Sequence, residues 1–160
     1  IGFLKSRKEL VIKAFTTSSS SAVMGVSIAT ARQNGIDEET ANIVIPMGAT
    51  VNMDGTAMYQ IFVAMFLMVI SGVDSTDVVS MLPVIVVIVL ASMGTPGAPG
   101  ASLFILMPIL ASMGIDTNLV LLILAVDRVL DMSRTVVNVM GDQVMAEVAY
   151  WWFHRRPGRE

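Results

Sequence analysis

A chain of 160 residues that is 54% hydrophobic and only 14% charged, with a mean hydropathy of +0.73, has the composition of a membrane protein; soluble domains carry about a quarter charged residues. It contains no cysteine, which excludes disulfides and thiolate metal sites. The net charge of -3 identifies no partner by its sum, and no nucleic-acid partner is expected.

The chain starts at Ile1, and residues 1–8 (IGFLKSRK) lack the plan of a signal peptide, so a piece of a larger protein is expected. Residues 9–17 and 22–32 are two short apolar arms around Ser18-Ser19-Ser20-Ser21, giving a first hairpin over 9–32. The polar connector QNGIDEET carries a helix start and leads to a long apolar span over 41–70, interrupted by PMGATVNMDGTAMYQ. A GVDSTD loop follows. Residues 79–93 and 101–113 are a second pair of short arms around GTPGAPG, a second hairpin over 79–113. After GIDTN one long helix runs over 119–153.

A full span needs about 20 apolar residues, whereas 10 to 14 suit a re-entrant segment. Taken alone, a serine run or a Gly/Pro cluster reads equally well as a linker or surface turn. Here two such tips lie between half-length arms, and Ser20 to Asp54 and Gly97 to Asp131 are each 34 residues apart. The expected fold is therefore all-α integral membrane, with two inverted repeats. Each repeat is a re-entrant helical hairpin followed by a transmembrane helix, broken in the first. Repeats of this kind, meeting at the bilayer midplane, are the architecture of secondary transporters.

Charge placement sets the orientation. Lys5, Arg7, Lys8, Lys13 and Arg32 precede a middle with no Lys or Arg, and Arg128, Arg134, Arg155, Arg156 and Arg159 follow it. By the positive-inside rule both chain ends are cytoplasmic in a multi-pass protein of the cell (inner) membrane. Tyr150 to Phe153, followed by His154-Arg155-Arg156, reads as an aromatic belt meeting a cytoplasmic tail.

The last helix carries the chemistry. Asp127, Asp131, Arg134, Asn138 and Asp142 are spaced 4, 3, 4 and 4, which confines them to about 80° of one helix face. A charge at the bilayer centre costs roughly 2.5 to 3.5 kcal/mol on insertion scales. Pairing within the helix relieves Asp131 through Arg134 and leaves Asp127 and Asp142 without a partner on it. Arginine offers a bidentate fork for a carboxylate, and an aspartate one turn away can hold an ammonium. Thr135, Asn138 and Thr56 can orient the remaining oxygens. The face therefore suits an acidic amino acid or another zwitterion. Asp142 and Asp54 have no basic neighbour in sequence, and hard cations prefer oxygen; Na⁺ is the natural ligand.

NMDGT at Asn52 to Thr56, the serine tip, GTPGAPG, and the D-x-x-x-D-x-x-R-T-x-x-N-x-x-G-D string from Asp127 to Asp142 resemble the glutamate-transporter family, the dicarboxylate/amino acid:cation symporters. The resemblance covers essentially the whole chain and matches the family's C-terminal core: hairpin 1, helix 7, hairpin 2 and helix 8. It implies Na⁺-coupled symport of aspartate or glutamate by an elevator-like movement, with H⁺ as an alternative coupling ion. It also implies a homotrimer built on an N-terminal scaffold not present in this chain. It implies that Arg134 binds the solute's side-chain carboxylate and Asp131 its amino group, in a site that includes Asp127. Thr135, Asn138, Thr56 and the backbone around Ser19, Ser20 and Met53 complete the contacts, and Ala98, Pro99 and Gly100 close over the solute. Three Na⁺ sites follow in the same way. One uses Asp142 with Gly48, Asn52 and Asn138; one uses Thr50, Ser92, Met93 and Thr95; one uses Asn52 and Asp54 with an earlier helix outside this chain, so that it is incomplete here. Ser18, Pro96 and Ser102 depart from the family's usual pattern.

The alternatives are a C4-dicarboxylate symporter of the same family, an intramembrane aspartyl hydrolase built on Asp54 and Asp142, and a channel or structural bundle. Asp131 argues for an amino acid over a dicarboxylate. A hydrolase has no use for Arg134 and lacks a second aspartate motif with its adjacent tyrosine. A transporter needs no covalent chemistry, and the chain is expected not to be an enzyme.

Overall fold

The computed structural model describes residues 2–73 and 78–154. The helices are α1 (Gly2–Ser6), α2 (Lys8–Thr17), α3 (Met24–Gln33), α4 (Glu38–Val51), α5 (Asp54–Ile70), α6 (Val78–Ser92) and α7 (Ala101–Ser112). A 3₁₀ turn (Thr117–Leu119) then leads into α8 (Val120–His154). Helices lie over the expected arms, interrupted span and last helix, with bounds one or two residues from those expected except at α4, which starts three residues before the expected start of the span at 41. Most of the GVDSTD loop, and Arg155 and Arg156 of the expected tail, lie outside the described residues.

The boundaries follow from local chemistry. Ser18 ends α2 in the left-handed region, with φ 50, a conformation that favours glycine and is costly for a side chain. Asp37 caps α4, its Oδ1 accepting from the Thr40 N–H at 2.9 Å. Hydrogen bonds from Thr40, side chain first and backbone second, hold the Asp37 carboxyl below its ordinary value. A lowered folded-state value means that the cap's contribution is in place above the ordinary carboxylate range and drains as pH falls through the lowered one.

Between α4 and α5 the helix opens at two residues, Asn52 (φ −89, ψ 67) and Met53 (φ −101, ψ 44). The neighbouring glycines serve a purpose other than unwinding, since Gly48 and Gly55 both sit inside helices. They permit close approach. A Cβ on Gly48 would overlap the Asp142 carboxylate, and one on Gly55 would lie 2.8 Å from the Arg134 backbone carbonyl. Gly141 on α8 answers from the other side, where a Cβ would press on the Asn52 amide.

α8 is the axis. The second to fifth helices all pack on it, while α6 and α7 pack on α5 and on each other. The largest apolar cluster joins Val63, Ala64 and Leu67 of α5 to Ile88 of α6, to Leu103, Leu106 and Leu110 of α7, and to Ile123 of α8. Leu10, Ala14 and Val23 meet Val139 and Met140 in a second cluster, and Ala31, Ala41 and Ile45 meet Ala146 in a third. Arg7, counted in the sequence as a marker of membrane orientation, is an internal strut. It is buried, bonded to Glu147 and Gln143 of α8, and lies 3.9 Å over the Phe3 ring.

The exterior is apolar as well: Met58, Phe62, Phe104 and Leu121 are all largely exposed, Phe104 at 74%. One segment among the described residues, Glu38–Ile70, is long and apolar enough to cross a membrane by length and composition. Met81–Ser92 and Ala101–Ser112 are apolar but shorter. α8 has 35 residues, about 52 Å of helix, and carries the charged stripe along its inner side.

Gly55→Ala should destabilise the protein by about 1–3 kcal/mol, because backbone and Asn138 both stand where the methyl would go. Gly25→Ala, at a position with open space around it, should leave the melting temperature in detergent unchanged or slightly raised.

Candidate functional site

A cavity of about 20 Å³, room for about one water, lies where two non-helical tips, the α4–α5 break and α8 converge. Ser18 and Ser20 border it from the first tip, and Thr95, Pro96, Gly97 and Ala98 from the second. Met53 and Thr56 come from the break, and Asp131, Arg134, Thr135 and Asn138 from α8. The tips touch: Ser19 Oγ donates to the Gly97 carbonyl at 2.5 Å, and Gly97 packs so closely on Ser20 that it has no room for a side chain.

The polar stripe of α8 is buried along its whole length. Its partners come from a different segment at nearly every step. Asp127 accepts from the Tyr59 hydroxyl of α5. Asp131 and Arg134 form a buried ion pair. Asp131 Oδ2 also accepts from the Gly100 N–H at 3.0 Å, and Arg134 donates to Ser102 Oγ while lying 4.7 Å over the Tyr59 ring. Asn138 Oδ1 accepts from the Gly55 N–H at 2.8 Å, and its Nδ2 donates to Thr56 Oγ1 at 2.9 Å. Asp142 Oδ1 accepts from Asn52 Nδ2 at 3.0 Å. The two carboxylates with no partner on their own helix thus find one on α5 and one at the break.

Eight of the expected solute residues border the cavity: Ser20, Met53, Thr56, Ala98, Asp131, Arg134, Thr135 and Asn138. Ser19 is turned to the other tip, Gly100 reaches the site through its N–H, and Asp127 sits one contact away behind Tyr59. Pro99 does not border the cavity. Of the expected cation ligands, Asp142, Gly48 and Asn52 come together. Thr50 and Ser92 turn their hydroxyls onto carbonyls of their own helices, Pro46 at 2.9 Å and Val89 at 2.7 Å. Thr95 borders the cavity and Met93 is partly exposed. Asp54 is exposed at the start of α5. Among the described residues no group of three His, Asp or Glu side chains is placed to hold a metal ion.

Pro96 and Gly97 border the cavity without having been expected as ligands, and four further contributors were not expected either. Ser18, buried at the cavity, has a hydroxyl with no hydrogen-bond partner among the described residues. Ser102 reaches Arg134. Tyr59 and Gln60, both buried, brace the site from α5, Gln60 Nε2 donating to the Ser102 carbonyl at 2.8 Å. Thr56, Tyr59, Gln60 and Val63 follow helical 3–4 spacing, and that periodicity was the available signal for the α5 pair.

Residues 1–152 match the sodium:dicarboxylate symporter family. The chain belongs to that family. It is 35% identical to excitatory amino acid transporter 5 of Homo sapiens, an alignment covering all of this chain and 29% of that protein. Its identity to excitatory amino acid transporter 1 of Rattus norvegicus is 35%, over 91% of this chain and 27% of the relative. An excitatory amino acid transporter of Caenorhabditis elegans is 36% identical over 92% of the chain and 29% of its own length. The chain therefore spans less than a third of these relatives. The family is one of membrane transporters, not enzymes.

Tyr59→Phe keeps the ring beside Arg134 and removes the donor to buried Asp127. It should lower unfolding stability by about 1–3 kcal/mol, measured by thermal or denaturant unfolding, and Tyr59→Leu should lose more.

Proposed function

We propose that this chain is the transport core of a Na⁺-coupled symporter for an acidic amino acid, aspartate or glutamate. The observation that carries the reading is the Asp131–Arg134 pair, buried at the wall of a cavity between two non-helical tips. Arg134 presents a planar fork for the solute's side-chain carboxylate, and Asp131 receives its ammonium. Such a solute can replace each member of the ion pair with a group of matching charge. A dicarboxylate satisfies Arg134 and sets a second negative charge against Asp131, which disfavours it.

Thr56, Thr135 and Asn138 orient the remaining oxygens, with backbone from Ser19, Ser20 and Met53. Ala98, Pro99 and Gly100 belong to the segment that closes over the solute. Asp127 acts through Tyr59. The first Na⁺ site centres on Asp142, supported by its burial, its amide partner Asn52 and the close approach of Gly48, with carbonyls of Gly48, Asn52 and Asn138. A second takes carbonyls near Thr50, Ser92, Met93 and Thr95. A third takes Asn52 and Asp54 with groups from a helix outside this chain.

Na⁺ and solute stabilise the same closed arrangement, so each raises the affinity for the other. The closed core then moves as a unit across the bilayer, and the Na⁺ gradient drives accumulation. The two halves are inverted repeats of a re-entrant hairpin and a long helix, both chain ends face the cytoplasm, and the full protein is a homotrimer.

Equilibrium L-aspartate binding should require Na⁺; binding indifferent to Na⁺ sinks the reading. Succinate should compete poorly, and strong competition by succinate would instead favour the dicarboxylate branch. Arg134→Gln should weaken aspartate binding by about 2–5 kcal/mol, and an unchanged affinity would refute the role of Arg134.

A further inference from the structure

We infer that Ser102 is a positioning residue that holds Arg134 from the second tip, so that the orientation of the solute-binding fork and the seating of α7 become one event. The inference rests on the reading of Asp131 and Arg134 as the solute site.

Ser102 is the second residue of α7 and is fully buried. Its hydroxyl oxygen accepts from Arg134 Nη1, while Arg134 Nη2 is bonded to Asp131. Two residues earlier, the Gly100 N–H donates to Asp131 Oδ2 at 3.0 Å. The opening turn of α7 therefore offers a donor to the anion and an acceptor to the cation of the same pair. Gln60, also fully buried, fixes this turn from below through its bond to the Ser102 carbonyl.

A guanidinium carries five N–H donors, and these contacts engage two of its three nitrogens. Enough donors remain for a bidentate grip on a carboxylate without releasing Ser102. Held at two corners, with the Tyr59 ring against its face, the guanidinium is fixed before the solute arrives, and less ordering remains to be done on binding. A glycine or alanine at position 102 supplies no acceptor. The fork then turns more freely, and α7 loses its side-chain tie to the cation. Ser102 thereby ties α7 to the residue that selects the solute's charge.

The test compares wild type, Ser102→Ala and Ser102→Thr as purified full-length protein in lipid nanodiscs. It measures L-aspartate affinity in Na⁺ and the melting temperature in Na⁺ without aspartate. Ser102→Ala should bind aspartate about tenfold more weakly, mainly through a faster off-rate, with a fall in the Na⁺-only melting temperature too small to account for that loss. Ser102→Thr, which keeps the hydroxyl, should recover most of the affinity. Equal affinity in wild type and Ser102→Ala overturns the inference and leaves the symporter reading standing. A fall in Na⁺-only melting temperature that accounts for the affinity loss assigns Ser102 to packing and also overturns it. Absence of Na⁺-dependent aspartate binding in the wild type removes the underlying reading itself.

Discussion

Asp131 and Arg134 lie three residues apart on α8, both buried, and taking such a pair out of water costs more than its mutual attraction returns unless further hydrogen bonds complete it. The contacts around the cavity follow from that constraint. The Gly100 N–H completes Asp131, Ser102 completes Arg134, and Tyr59 covers the guanidinium face while capping Asp127. α5 and α7 are held near the centre of α8 by polar bonds as well as by the apolar cluster beneath them. A solute carrying both charges can take over what the pair now does for itself.

The α4–α5 break meets the complementary constraint, because opened backbone inside a membrane must be surrounded by protein or water. Asn138 supplies this from α8, accepting from the Gly55 N–H and donating to Thr56. Glycine at 48, 55 and 141 then allows the broken segment and α8 to approach closely enough for Asn52 to reach Asp142. One crossing therefore braces the cavity on one side and brings a carboxylate, an amide and backbone together on the other.

Arg7 shows a different use of buried charge. It ties the start of α2 to α8 through Glu147 and Gln143, and Gln143 in turn bonds Ser27 of α3. Both helices flanking the serine tip are thereby held to α8 by side chains, on a network separate from the one around the second tip.

The sequence by itself determined the elements, because half-length apolar arms, a polar interruption and a single charged stripe are each local patterns of length and spacing. It placed the interruption within residues 46–60, marked the faces of α8, and singled out as solute contacts eight of the twelve residues that line the cavity. It also showed that Asp127 and Asp142 needed partners off their own helix. Only the tertiary structure decided which partners those are, since Tyr59 and Asn52 lie 68 and 90 residues away in the chain. The same holds for the glycines. Sequence marked Gly48 and Gly55 only as part of the interruption, and packing made the glycines points of close approach, because the space around a missing Cβ is set by whichever helix lies opposite. Ser102 stood out in the sequence only as a departure from a pattern. Its bond to Arg134 exists because the fold brings the first turn of α7 against the middle of α8.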